Sequence, residues 1–216
     1  MQWGVYMAKK TARKSSKKAI KSDKKVSEKS VETKSIENPS NLKPLVFAAL
    51  FAALTAAVSP LKIPLGFTPV PITLQTLVVL MSGAMLGPYY GALAMILYVV
   101  VGALGLPVFA GGGSGIGAIL GPTGGYLISY FIAAFAIGKT LQLRKQPRYL
   151  DYAVAMIIGT IIIYVLGAGW ALVVVPGLTL LAVIAGWVLP FIIGDTIKLL
   201  IAAYIAKTVN IKRYLK

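Results

Sequence analysis

Tyr152-Ala-Val-Ala-Met-Ile-Ile-Gly-Thr-Ile-Ile-Ile-Tyr-Val-Leu-Gly-Ala-Gly-Trp-Ala-Leu-Val-Val-Val175 runs for 24 residues without a charged side chain. A helix crossing a hydrocarbon core of about 30 Å needs about 20 such residues, so this stretch reads as a membrane span. Working outward, similar apolar blocks occupy Leu45–Val58, Ile72–Leu86, Tyr89–Leu104 and Gly125–Leu143 on one side and Leu178–Ala206 on the other. Proline, glycine or charge separates each from the next. The expected fold is an all-α polytopic membrane protein of six transmembrane helices, placed as a multi-pass protein in the cell membrane. The first three blocks are short, so they extend into their flanks or lie beside a locally thinned bilayer.

Composition agrees. Hydrophobic residues make up 57% of the chain and charged residues 13%, against about a quarter charged in soluble domains. A net charge of +16 would suit nucleic acid only if the basic residues shared a folded polar surface, and they do not. Twelve of the 22 Lys and Arg precede residue 45, four lie between Lys139 and Arg148 and four follow residue 206, leaving Lys62 and Lys198. Cytoplasmic connections carry the excess of Lys and Arg. The tail, the 139–148 loop and the C-terminal segment are therefore expected inside, with both termini cytoplasmic, and Gly87-Pro88 is expected to be a tight turn. The outer connections at 59–71, 105–124 and 176–177 hold Lys62 alone.

Three regions follow: a disordered basic cytoplasmic tail over 1–41, a six-helix transmembrane substrate-binding domain over 42–208, and a cytoplasmic segment over 209–216. The tail is too poor in apolar residues to offset the entropy of ordering. It serves as a topology signal or tolerated extension, or it contacts anionic lipid. Met7 is an alternative start, and no cleaved signal is expected because some forty polar residues precede the first apolar run. Cysteine and histidine are absent, which removes disulfides, thiol nucleophiles, His or Cys metal ligands and histidine-based catalysis. No cofactor, metal or catalytic residue is expected.

Ala48, Ala52 and Ala56 recur every fourth residue on the first span, with Ala49, Ala53 and Ala57 as a neighbouring row. Such small-residue faces let helices approach closely in lipid, either within this chain or against a partner membrane subunit. The stretch Gly105-Leu-Pro-Val-Phe-Ala-Gly-Gly-Gly-Ser-Gly-Ile-Gly117 is too flexible to cross a bilayer. It is expected as an outer loop that covers a binding site, with Phe109 giving it shape and Gly111 and Gly112 letting backbone amides approach a ligand. Ala133–Thr140 ends like a phosphate-binding loop, but Ala133 replaces the first glycine and the context is membrane helix, so any ATPase belongs to another chain. Gly194-Asp195-Thr196-Ile197-Lys198 is the sharpest signal. Asp195 is the sole acid inside an apolar block; a charge there costs at least about 2.5–3.5 kcal/mol, and at i and i+3 the pair shares one helix face. Asp195 with Lys198 marks the expected ligand site, the alternative being a pair that only lowers its own insertion cost.

Pro69-Val-Pro-Ile-Thr-Leu-Gln-Thr76, Gly105-Leu-Pro-Val-Phe-Ala-Gly-Gly112, Gly121-Pro-Thr-Gly-Gly-Tyr126 and Gly194-Asp195 through Lys198, in this order within six apolar blocks, resemble the BioY family. These are the biotin-specific S components of energy-coupling-factor vitamin transporters. The resemblance covers residues 44 to about 206. It implies a six-helix protein, not an enzyme, that binds biotin from outside and works with a transmembrane coupling subunit and two ATPase subunits. It also implies that the alanine rows, Ala48, Ala49, Ala52, Ala53 and Ala56 among them, dock the coupling subunit. Asp195 can accept from a ureido N–H of biotin, and Lys198 can donate to the ureido carbonyl or pair with the carboxylate. Gln75 could bond either polar end, with Tyr98, Phe109, Tyr126 and Tyr164 as walls with polar tips. A different class, a self-sufficient ion-coupled carrier or channel using Asp195, would ordinarily show an inverted repeat, and none is visible.

Overall fold

The computed structural model describes residues 39–209 and 211. The basic tail expected over 1–41 lies outside them except for its last three residues, as does most of the 209–216 segment. Helix α1 covers Pro39–Val58 and is followed by a short antiparallel pair, β1 (Lys62–Ile63) and β2 (Ile72–Thr73), in which Lys62 stands opposite Thr73. Helix α2 (Gln75–Ala103) comes next, then a 3-10 turn at Ala110–Gly112 and a one-turn helix α3 (Ile116–Leu120). Helices α4 (Gly124–Gln142) and α5 (Tyr149–Val174) lead to α6 (Leu180–Val183), a π-helical turn at Ile184–Val188, and α7 (Leu189–Thr208).

Although α2 is helical on both sides of its midpoint, it is not one rod. Gly87 has φ +81°, a conformation open to glycine and strained for other residues, and Pro88 follows it. The side-chain amide of Gln75 donates to the hydroxyl of Tyr98. On a straight helix these residues would stand about 35 Å apart at 1.5 Å per residue, so the chain reverses at Gly87-Pro88. Residues 75–86 and 88–103 form an antiparallel pair close enough that a Cβ on Gly91 would meet the backbone of Gly83.

The same economy of side chains brings α4 onto this hairpin. A Cβ on Gly83 would collide with the backbone of Ala134, and one on Gly138 with the backbone of Gly87 and Pro88. Because backbone, unlike a side-chain tip, cannot rotate away, Gly138→Ala is expected to cost about 1–3 kcal/mol through overpacking. Thermal unfolding in detergent checks this. Gly169→Ala, where nothing lies within 4 Å, should leave the midpoint unchanged or slightly raised, and equal midpoints for the two variants would refute the close approach.

Residues pointing inward are not more apolar than those pointing outward. On α5, Ala155, Met156, Gly159 and Ile163 are buried while Val154, Ile157, Ile158, Ile161 and Val165 are exposed. In water that arrangement would waste the driving force for folding, whereas in lipid tails, as apolar as leucine, helices associate through close packing of small residues. By length and composition, four segments among the described residues are long and apolar enough to cross a membrane: Gln75–Ala103, which is folded back on itself at Gly87-Pro88, Gly124–Gln142, Tyr149–Val174 and Leu180–Thr208. Leu42–Val58 is apolar but shorter. Charge collects at the loop before α5, where Asp151 accepts from the Arg148 backbone N–H at 2.8 Å and pairs with Arg144 at 3.3 Å. A carboxylate in a first helical turn also complements the helix dipole.

Pro190, in the first turn of α7, has no N–H to give the turn before it. There the chain widens into the π-helical turn, closed by the Leu189 N–H on the Ile184 carbonyl. The carbonyl of Trp187 in that turn accepts from the Tyr126 hydroxyl at 2.9 Å, which joins α4 to the last membrane segment.

Candidate functional site

Asp195 and Lys198 lie one turn apart on α7 and form an ion pair, Nζ to Oδ1 2.5 Å. Both are buried, at 7% and 8% exposure. Removing two charges from solvent costs several kcal/mol per ion, recovered only when the geometry is good and the remaining hydrogen-bonding positions are filled. Here they are. Lys198 donates to the Thr73 carbonyl at 2.8 Å and to the Thr76 hydroxyl at 3.0 Å. The Thr76 hydroxyl in turn donates to Asp195 Oδ1 at 3.2 Å, and Tyr164 on α5 donates to Oδ2 at 2.6 Å. The cluster thus binds three elements together: the entry to α2, α5 and α7.

An ammonium has three hydrogens, and all three of Lys198's have acceptors. Asp195 Oδ2 receives one bond and retains room for another. The cluster is therefore better prepared to accept a hydrogen from a ligand than to donate one, and Lys198 can contact a ligand only by exchanging a present partner.

A second chain of bonds starts beside the first. The Thr73 hydroxyl donates to Gln75 Oε1 at 3.0 Å, the Gln75 amide donates to Tyr98, and Tyr98 donates to the Val108 carbonyl at 3.0 Å. The Ser59 hydroxyl reaches the same carbonyl at 2.5 Å. This pins the loop after α2 to its own hairpin and sets Phe109 edge-on against Tyr98, ring centroids 5.6 Å apart at 80°. Gly102 leaves the space that the Phe109 ring fills.

Both chains border a cavity of about 270 Å³. That is close to the lower end of the roughly 300–1,000 Å³ typical of small-molecule sites. Its polar groups come from Asp195, Lys198, Thr73, Gln75, Thr76 and Lys62; its walls are Val70 between Pro69 and Pro71, Phe109, Tyr126, Leu127, Tyr130, Ile163 and Phe191. Such a lining suits a compact, mostly apolar molecule that offers a hydrogen to a carboxylate.

Of the residues expected from the sequence, Asp195, Lys198, Gln75, Phe109, Tyr126 and Tyr164 line this one cavity. Tyr98 stands behind Gln75 and touches it through its hydroxyl. Gly112 does not line the cavity, and Gly111 instead meets the side chain of Lys62. The alanine rows separate: Ala48 and Ala52 are buried in the chain's own core and Ala56 is half-buried, whereas Ala49, Ala53 and Ala57 are exposed. Thr73 and Thr76 carry no distinguishing mark in the sequence, whereas helical spacing points to Tyr130, which follows Tyr126 by one turn. Ile163 and Phe191 carry no mark that distinguishes them in sequence from residues that face lipid.

A model of the BioY family matches residues 27–214. A Pyrococcus horikoshii protein described as a probable biotin transporter BioY is 43% identical over 128 residues, 59% of this chain and 74% of that one. The biotin transporter BioY of Thermotoga maritima is 43% identical over 126 residues, 58% of this chain and 72% of the relative. Among solved structures, the S-component for biotin from an ECF-type ABC transporter superposes with a TM-score of 0.75 at 30% identity, covering 84% of this chain and all of the other.

Proposed function

The chain belongs to the BioY family, and from that membership we propose that it is the biotin-binding membrane subunit, the S component, of an ATP-driven energy-coupling-factor importer. It is a multi-pass membrane protein and a transporter subunit, not an enzyme. The observation that carries the ligand is the cavity of about 270 Å³ bordered by the Asp195–Lys198–Thr76–Tyr164 cluster. Biotin is a fused bicycle with a ureido group at one end, an apolar sulfur ring and a carboxylate on a short chain. The open acceptor position on Asp195 Oδ2 suits a ureido N–H, and the aromatic walls suit the sulfur ring. Gln75 takes a further polar contact, and Tyr98 holds Gln75 in place.

The transmembrane arrangement we propose has six crossings with both termini cytoplasmic: α1, the two halves of α2, α4, α5 and the 180–208 segment. Basic residues at the 139–148 loop, which would be inside, support it. Partners are a transmembrane coupling subunit and two ATPase subunits, since no phosphate-binding loop is present in the chain and transport of this type draws on ATP. The exposed row Ala49, Ala53 and Ala57 is the face offered to the coupling subunit.

Isothermal titration of the detergent-purified chain with biotin, without nucleotide, tests the assignment. One-to-one binding of roughly nanomolar affinity, about −12 kcal/mol, is expected from this chain alone. A demonstrably folded sample that releases no heat and retains no biotin would overturn it.

A further inference from the structure

We propose that Lys62 is the counter-ion for the carboxylate of the bound ligand, held in position by the bare backbone of Gly111; this rests on the biotin assignment above and adds a second, anionic subsite to it. Asp195 and Lys198 neutralise each other at 2.5 Å, and Lys198 has no hydrogen to spare. A ligand with a carboxylate therefore brings a charge that this cluster does not balance. Lys62 is the other cation lining the cavity, and among the described residues no carboxylate lies within ion-pair distance of it.

Position and support both favour the role. Lys62 is on β1 opposite Thr73, the residue whose carbonyl holds Lys198. One short hairpin thus carries an exposed cation at the border of the cavity and anchors a buried one within it. The aliphatic stem of Lys62 lies along Gly111, where a Cβ would collide with Cδ, Cε and Nζ together. Gly111 has φ +69° and its N–H donates to the Ser59 carbonyl at 3.2 Å, so the surface on which the lysine rests is itself tied down. A ligand with its N–H groups at Asp195 and its anion at Lys62 is held at both polar ends, with its apolar middle against the aromatic walls.

Biotin and its neutral amide, biotinamide, separate this subsite from the rest. Titration of the wild-type chain should show a preference for biotin over biotinamide that shrinks with added salt, because the subsite is partly exposed. Lys62→Gln should weaken biotin about tenfold, as befits a screened charge-assisted contact, and leave biotinamide unchanged. Lys62→Arg should keep the preference, and Gly111→Ala should reduce it by displacing the lysine. A Lys62→Gln chain that still prefers biotin, or that loses both ligands equally, overturns the proposal while the biotin assignment stands. Wild-type protein that binds neither ligand overturns the assignment itself.

Discussion

Asp195→Asn should cost the protein both its ligand and much of its stability. The substitution leaves the Lys198 ammonium buried with only the Thr73 carbonyl, the Thr76 hydroxyl and a neutral amide around it. Breaking one half of a buried pair costs about 3–5 kcal/mol, because the remaining charge has no compensation. Asp195→Asn combined with Lys198→Met removes that uncompensated charge and should recover most of the lost stability. Affinity should not recover: without the carboxylate a ligand N–H loses a charge-assisted bond, and biotin should bind more than about tenfold less tightly than to wild type. Thermal unfolding and titration on the same preparations separate the two effects. A double variant that is stable and binds biotin as the wild type does would make the pair structural only.

Ala53→Leu should abolish transport without touching the ligand. Ala53 is exposed on α1 between Ala49 and Ala57, and a leucine there would stand between two helices that otherwise meet backbone to backbone. Overpacking of about 1–3 kcal/mol corresponds to roughly 5- to 140-fold weaker association. Co-purification of the coupling subunit should be lost and ATP-driven biotin uptake by cells should fall to background, while titration of the isolated chain with biotin is unchanged. Ala52→Leu is not an equivalent test, because Ala52 is buried in the chain's own core and the larger side chain would disturb the fold. If the Ala53→Leu chain still co-purifies and transports, the outer alanine row is not the docking face.

The spans and the site were legible to different depths. Uninterrupted apolar runs mark helices in lipid because the bilayer tolerates no unpaired backbone, so Tyr152–Val175 could be placed from composition alone. Asp195 and Lys198 stood out for the converse reason, since a charge in such surroundings is costly and demands partners. The identity of those partners was not legible: Thr76 and Tyr164 are separated from Asp195 by 119 and 31 residues, and only the packing of α2 and α5 on α7 brings them together. The two alanine rows differ by one residue in register and look alike in sequence. Which of them turns inward depends on the rotation of α1 about its axis, decided by larger neighbours such as Phe51 that are buried on the same side as Ala48 and Ala52. Gly111 was noticed for its freedom of conformation, yet its more specific consequence is the room it leaves for Lys62.

Placing Asp195 and Lys198 on one turn of one helix has an electrical consequence. Each elementary charge moved through a membrane potential exchanges about 2.3 kcal/mol per 100 mV with it. Opposite charges fixed to the same short stretch of backbone travel together, so displacement of that stretch carries no net charge through the field, Lys207 standing apart from it in the last turn of α7. The voltage across the cell membrane then neither assists nor opposes the movement of the empty cluster, and the work of reorientation is left to be supplied from elsewhere.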